Sequence, residues 1–203
     1  GIDIVITETA GRIPIIAGAG SNSTAEAVSL TEHAKKAGAN AVLSISPYYN
    51  KPTQNGIKEH YRAINNVGIP VIVYNVPGRT GTNISAETTV ALAELENIAG
   101  IKEASGNITQ IMEILRDRPT GFRVFSGDDA LAYPLMMLGA DGCISVVANE
   151  TPRMFRKMIE FSLQGNFQEA RNIHFQLLSL MQINFIESNP IPVKTAMELM
   201  GKI

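Results

Sequence analysis

Short, continuously apolar runs recur along the chain: "IPIIAGAG" at 13–20, "AVLSISP" at 41–47, "PVIVYNVP" at 70–77, "IAGIKEAS" at 98–105, "FRVFSGDD" at 122–129 and "GCISVVAN" at 142–149. They do not alternate apolar with polar, the pattern expected of parallel strands buried on both faces. Helical patterns fill the gaps. Residues 23–38 read as a helix stopped by Gly38, residues 57–67 as a second, and residues 85–95 as a third capped by Ser85. Asn107 and Gln110 stand at capping-box spacing for a fourth. Asp128 or Asp129 caps a fifth, and Thr151 with Pro152 at the first helical position opens a sixth. Strand starts fall roughly 20 to 30 residues apart, one strand plus one helix each.

Strand–helix alternation without a linker leaves two architectures, an open doubly wound sheet or a (β/α)8 barrel. The polar residues favour the barrel. Tyr74 and Asn75, Lys102 and Glu103, and Ser126 to Asp129 lie at carboxyl ends of strands, with Tyr48, Tyr49 and Asn50 just past another. In a barrel those ends converge on one mouth. Only six strands are legible where a closed barrel has eight. The expected fold class is α/β, and the pattern by itself leaves the two missing strands of a barrel unexplained.

Composition removes several alternatives. The 203 residues, 45% hydrophobic and 18% charged, suit an ordinary globular protein with one sizeable core. A net charge of -2 gives no electrostatic draw toward nucleic acid or a membrane surface. No apolar run approaches the ~18 residues of a membrane span. The single cysteine, Cys143, cannot form an internal disulfide and fits a reducing compartment. The opening "GIDIVITETAG" lacks the basic region of a signal peptide, so a cytoplasmic location is expected.

Lys102 is the residue that asks for chemistry. A lysine at the end of an apolar strand must shed water, and that is costly unless it is paired or neutral. In a dry barrel mouth desolvation lowers its pKa from about 10.4, and a neutral amine there attacks ketones and aldehydes to form a Schiff base. From position alone, an ion pair that merely stabilises the barrel end is the more ordinary reading. No metal-ligand cluster competes: His33, His60 and His174 fall in helical patterns, expected to face solvent or satisfied neighbours. The glycines of "AGAGSNST" match neither a P-loop nor a dinucleotide fingerprint.

The motifs "SPYYNKPTQNG", "VIVYNVPGRTG", "IAGIKEASGN", "FSGDDA" and "SNPIPVK" follow in one order. Together they resemble the 4-hydroxy-tetrahydrodipicolinate synthase family, pyruvate-dependent class I aldolases, over essentially the whole chain. Single motifs are shared with N-acetylneuraminate lyases, but the arginine of "YNVPGRTG" together with "PYYNKP" is more particular to the synthases. The resemblance implies condensation of pyruvate with L-aspartate 4-semialdehyde, the first committed step of diaminopimelate and lysine biosynthesis. Lys102 matches the Schiff-base lysine, and Tyr74 the tyrosine beside it that passes protons. Tyr49 matches a tyrosine inserted into the neighbouring subunit's site, and Arg79 the arginine that holds the second substrate's carboxylate. Gly127 and Ile144 match backbone positions lining the pocket.

The resemblance further implies a homodimer or homotetramer, with no pyridoxal phosphate and no required metal. Gly20, Asn22, Glu26 and Tyr48 match positions that bind L-lysine in feedback-inhibited members. Each residue also has a plainer reading. Tyr74 suits a core tyrosine, Tyr48 and Tyr49 suit interface aromatics, and Arg79 a surface ion pair. Asn22 or Ser23 suits a helix cap, with Glu26 in the first turn. One departure stands out: the family's Gly-Thr-Thr-Gly-Glu loop, whose threonines bind the pyruvate carboxylate, is absent. Residues 1–11 look like the tail of the helix after it, and the last helices are cut short, so a fragment of a longer enzyme is expected. The resemblance thus implies an incomplete (β/α)8 TIM barrel of about six βα units over residues 1–165, followed by a truncated helical region at 166–203. A sugar-acid aldolase of the same superfamily and a truncated regulatory paralogue are the alternatives.

Overall fold

The computed structural model describes residues 1–203. In chain order its elements are α1 (Ile2–Thr9), β1 (Ile16–Gly18), α2 (Thr24–Ala37), β2 (Ala41–Ile45), α3 (Gln54–Asn65), β3 (Val71–Asn75), the single turn α4 (Pro77–Thr80), α5 (Ala86–Ala93), β4 (Ile98–Glu103) and α6 (Ile108–Asp117). Then follow β5 (Arg123–Ser126), α7 (Asp129–Met137), β6 (Gly142–Cys143), a 3-10 turn (Val147–Asn149), α8 (Pro152–Leu163), α9 (Phe167–Ile183) and α10 (Ile191–Leu199). Every expected strand is present and shorter than its apolar run. Pro47, Pro70 and Pro77 border β2 and β3, where a residue without an N–H cannot serve the ladder.

Side-chain caps decide where helices begin. Ser23 accepts from the Glu26 N–H at 3.4 Å and Ser85 from Thr88 at 3.1 Å. Thr53 accepts from Gly56 at 3.2 Å, which starts α3 three residues earlier than the apolar pattern suggested. Asp128, not Asp129, caps α7, accepting from Ala130 at 2.9 Å. The expected capping box at α6 is half formed. Asn107 accepts from the Gln110 N–H at 3.1 Å, but the Gln110 side chain turns inward instead of returning to Asn107. Thr151 makes no cap; its hydroxyl donates to the Val147 carbonyl at 3.3 Å, leaving Pro152 to open α8.

The chain divides into two compact units, Gly1–Arg123 and Val124–Ile203. In the first, β1 to β4 pair in sequence order, all parallel. The β3–β4 ladder contains an irregularity: Val71 pairs with Ile98 but Ile72 with Gly100, so Ala99 is one extra residue in β4. Beyond it, Tyr74 pairs with Lys102 and Asn75 with Glu103. Toward the carboxyl ends the alternate residues divide, although Ile72 and Gly100 are buried as well. Val42, Ser44, Val71, Val73, Asn75, Ile101 and Glu103 are buried, whereas Leu43, Ile45, Tyr74 and Lys102 are half-buried. α3 covers the buried face, with Ile57, Tyr61 and Ile64 fully enclosed and the Tyr61 hydroxyl donating to the Ser44 carbonyl at 2.8 Å. Each such isoleucine contributes about 1.5–3 kcal/mol by leaving water.

In the second unit β5 and β6 pair in parallel, Phe125 with Gly142 and Ser126 with Cys143. Its core joins Ala132 and Tyr133 of α7, Val147 of the 3-10 turn, Phe155 and Met158 of α8, and Ala170, Ile173, Leu177 and Met181 of α9. No helix is long and apolar enough to cross a membrane.

Candidate active site

Lys102 and Tyr74 are brought together by the register of β3 and β4. Were Ala99 paired with Ile72 in a regular ladder, Ile101 would oppose Tyr74; with Ala99 left out as a bulge, Lys102 does. The Lys102 Nζ lies 4.2 Å from the centroid of the Tyr74 ring. Burial raises the Tyr74 phenol above its ordinary pKa of 10.0, while the nearby Arg79 charge pulls it back in part. Arg79 stands exposed on α4, directly after β3, where Pro77 opens the turn and Gly81 closes it at φ 72°. Nucleophile candidate, phenol and guanidinium thus come from one strand pair and the turn that follows it.

Asn75 and Glu103, expected at the same mouth, face the other way. Side chains alternate along a strand, so the neighbours of Tyr74 and Lys102 enter the helix side. Glu103 is 1% exposed and accepts from Asn75 Nδ2 at 3.0 and 3.3 Å, Gln110 Nε2 at 3.2 Å and the Ser105 N–H at 2.6 Å. Sequence reasoning missed this cluster. The period-2 signal that would have found it was present in "IKEAS", but not its phase.

The loop after β2 is strained. Tyr49 and Lys51 have φ of 74° and 46°, a region costly for residues with a Cβ, and Tyr49 is 88% exposed. Asn50 ties the loop down, donating through Nδ2 to the Asn22 carbonyl at 3.1 Å. Gly20, Asn22, Glu26 and Tyr48 therefore gather around one corner of the first unit. Gly20 has no room for a side chain, since a Cβ would come within 2.5 Å of the Ile45 nitrogen. The Glu26 carboxylate accepts from the Ser21 hydroxyl and lies in the first turn of α2.

Gly127 and Ile144 lie in the second unit on adjacent strand ends. The Ile144 N–H donates to the Ser126 carbonyl at 2.9 Å. Asp129, unassigned beyond a cap from sequence, is 1% exposed and accepts from the Val146 and Val147 N–H groups at 3.0 and 2.8 Å, fixing the turn just past Ile144.

The histidines divide, with His33 facing solvent and the other two packed inside. His60 and His174 are 3% and 6% exposed rather than facing solvent, and each has one ring nitrogen without a partner. His60 Nδ1 meets the Thr24 hydroxyl at 2.9 Å, and burial lowers its pKa from 6.5 to about 4. His33 is exposed beside Asp3 at 3.2 Å. No group of three or more His, Cys, Asp or Glu side chains is arranged to hold a metal ion.

With this geometry established, the chain was compared with known proteins. The pattern describing the Dihydrodipicolinate synthetase family matches residues 2–203. The chain is 53% identical to 4-hydroxy-tetrahydrodipicolinate synthase of Prosthecochloris aestuarii, covering 100% of this chain and 69% of that protein. Among solved structures, the chloride-inhibited dihydrodipicolinate synthase of Acinetobacter baumannii complexed with pyruvate is 47% identical, with a TM-score of 0.97 over 100% of this chain and 70% of that one. The synthase of Cyanidioschyzon merolae with lysine bound is 44% identical, with a TM-score of 0.96 over 99% of this chain and 69% of that one. The fold is accordingly α/β, six βα units of an incomplete (β/α)8 barrel.

Proposed function

We propose that this chain, which belongs to the dihydrodipicolinate synthetase family, performs the lyase reaction of its relatives by joining pyruvate to L-aspartate 4-semialdehyde to give 4-hydroxy-tetrahydrodipicolinate. The observation that carries the residue assignment is the register pair that sets Lys102 Nζ 4.2 Å over the Tyr74 ring.

The Lys102 amine attacks the pyruvate carbonyl carbon, and the carbinolamine loses water to give an iminium. A methyl proton then leaves, and the enamine carbon attacks the aldehyde, whose oxygen takes a proton. The substrate's own amine displaces Lys102, closing the ring and freeing the lysine. Tyr74 serves as the proton carrier. Burial keeps its phenol protonated at neutral pH, so it can donate to the departing hydroxyl, and Arg79 supplies the polarising charge such a weak acid needs. The ring face also favours a positive nitrogen, which the iminium provides at the lysine.

Arg79 holds the carboxylate of the second substrate, for which a bidentate fork is suited. Tyr49 extends into the site of a second copy in a homodimer or homotetramer and completes the proton path. Backbone at Gly127 and Ile144 lines the pocket. The electron sink is the protein's own lysine, so neither pyridoxal phosphate nor a metal is required. Gly20, Asn22, Glu26 and Tyr48 form a site for L-lysine, the pathway's end product. Cys143, a lone thiol, suits the cytoplasm, where we place the reaction.

Pyruvate followed by borohydride should leave a covalent adduct on Lys102, read by peptide mass mapping of the intact enzyme. An adduct on Lys36, Lys51 or another lysine instead would remove the mechanism.

A further inference from the structure

Glu103 is a buried carboxyl group that the reaction does not use. It follows Lys102 in β4, points to the opposite face and is 1% exposed. Its hydrogen-bond donors are the two side-chain amides and one backbone N–H described above, all neutral. A buried carboxylate is costly unless its oxygens are hydrogen-bonded, and an apolar side chain of its size would often serve the core as well, so its presence here asks for a role.

The surrounding amides form a closed set. Asn83 Nδ2 donates to Gln110 Oε1 at 2.7 Å, and Asn83 Oδ1 accepts from Asn75 at 2.9 Å and Gln110 at 3.3 Å. Asn75 Oδ1 accepts from the Ile84 N–H at 3.0 Å. One carboxylate therefore ties the end of β3, the segment before α5 and the first turn of α6 to the end of β4.

Register is where this bears on Lys102. If Ala99 were drawn into the ladder opposite Ile72, β4 would shift by one position, placing Ile101 opposite Tyr74 and Lys102 opposite Asn75 on the helix side. Two contacts oppose that slip. At Gly100 a Cβ would come within 2.5 Å of the Arg123 carbonyl oxygen, so a side chain cannot be moved into that place. At the other end, Glu103 meets Asn75 only in the observed register.

We propose that Glu103 is a positioning residue for Lys102: its carboxylate, gripped by Asn75, Gln110 and the Ser105 N–H, holds β4 in the register that aims the lysine at the Tyr74 ring. The proposal rests on the reading of Lys102 as the imine-forming lysine.

The test is the rate at which pyruvate and borohydride label Lys102 in the intact enzyme, in Glu103→Leu and in Glu103→Gln, which keeps the shape of the side chain but turns an amide NH2 toward the donors. Glu103→Leu should melt cooperatively, yet label Lys102 and turn over at saturating pyruvate about 10- to 100-fold more slowly, as expected of a misplaced nucleophile. Glu103→Gln should label at a rate between those of wild type and Glu103→Leu. A folded Glu103→Leu that labels Lys102 at the wild-type rate overturns the proposal. Should Glu103→Leu not fold, a folded Glu103→Gln that labels Lys102 at the wild-type rate overturns it. A wild-type adduct on another lysine defeats the Lys102 reading itself, and this proposal with it. That result is distinct from one in which wild type labels Lys102 and every variant matches it.

Discussion

Tyr74 is under two opposed influences, burial raising its pKa and the Arg79 charge lowering it. Removing Arg79 should therefore do two separate things. Loss of a charge-assisted contact to a carboxylate costs roughly 1.5–3 kcal/mol, so Arg79→Ala should lower kcat/KM for aspartate semialdehyde about 10- to 150-fold while pyruvate labelling of Lys102 changes less. The alkaline limb of the rate profile that reports Tyr74 should also move to higher pH, because the lowering charge is gone. Unchanged kinetics for the aldehyde would reduce Arg79 to a surface charge. At this scale the sequence showed much. Lys102, Tyr74 and Arg79 were picked out by residue type at strand ends and by resemblance, and the structure brings those three together. Glu103 was passed over, because alternation says that neighbours on a strand face opposite ways but not which of them faces the helices.

Elements were legible as types and blurred at their ends. The extra residue at Ala99 left no trace in the apolar run, since Ile98 to Ile101 reads as strand in either register. The α2–α3 contact hid something else, a buried histidine. His60 pairs with Thr24 and has its pKa lowered to about 4 by burial. The unfolded chain, with a pKa near 6.5, takes up a proton first on acidification. Its contribution is thus intact above 6.5 and is lost as pH falls toward 4. Between pH 7 and pH 5 wild type should lose about 2 kcal/mol more stability than His60→Gln, measured by urea unfolding, the carboxylate effects being common to both. Parallel pH dependences would show that His60 titrates as a free histidine does.

The molecule as a whole poses the question of a second copy. Tyr49 is 88% exposed on a backbone with φ 74°, a strained presentation of a large aromatic that solvent does not reward. If Tyr49 acts across subunits, mixing Tyr49→Phe with Lys102→Ala should restore activity. In a statistical dimer mixture about a quarter of the sites then carry both wild-type groups. No recovery, despite demonstrated subunit exchange, would place Tyr49 in its own subunit's site. The corner of Gly20, Asn22, Glu26 and Tyr48 predicts a second long-range effect. L-lysine should inhibit, with a coupling of about 1–3 kcal/mol, and Glu26→Ala should abolish inhibition while leaving the uninhibited rate nearly unchanged. A Glu26→Ala enzyme inhibited as strongly as wild type would move the regulatory site elsewhere.

Composition and period determined the class of this chain. Continuous apolar runs joined by capped helices require parallel strands under helices, and the order of the motifs required the family. Those properties are local, set by what each segment must bury and where its polar residues fall. Which side of the sheet a residue faces was decided only in three dimensions. A single extra residue between Val71 and Ile72's partners turns Lys102 toward Tyr74 and Glu103 toward Asn75 and Gln110. That choice depends on contacts between strands and helices far apart in sequence, such as Gly100 against Arg123 and Asn83 against Gln110, and no single segment contains them.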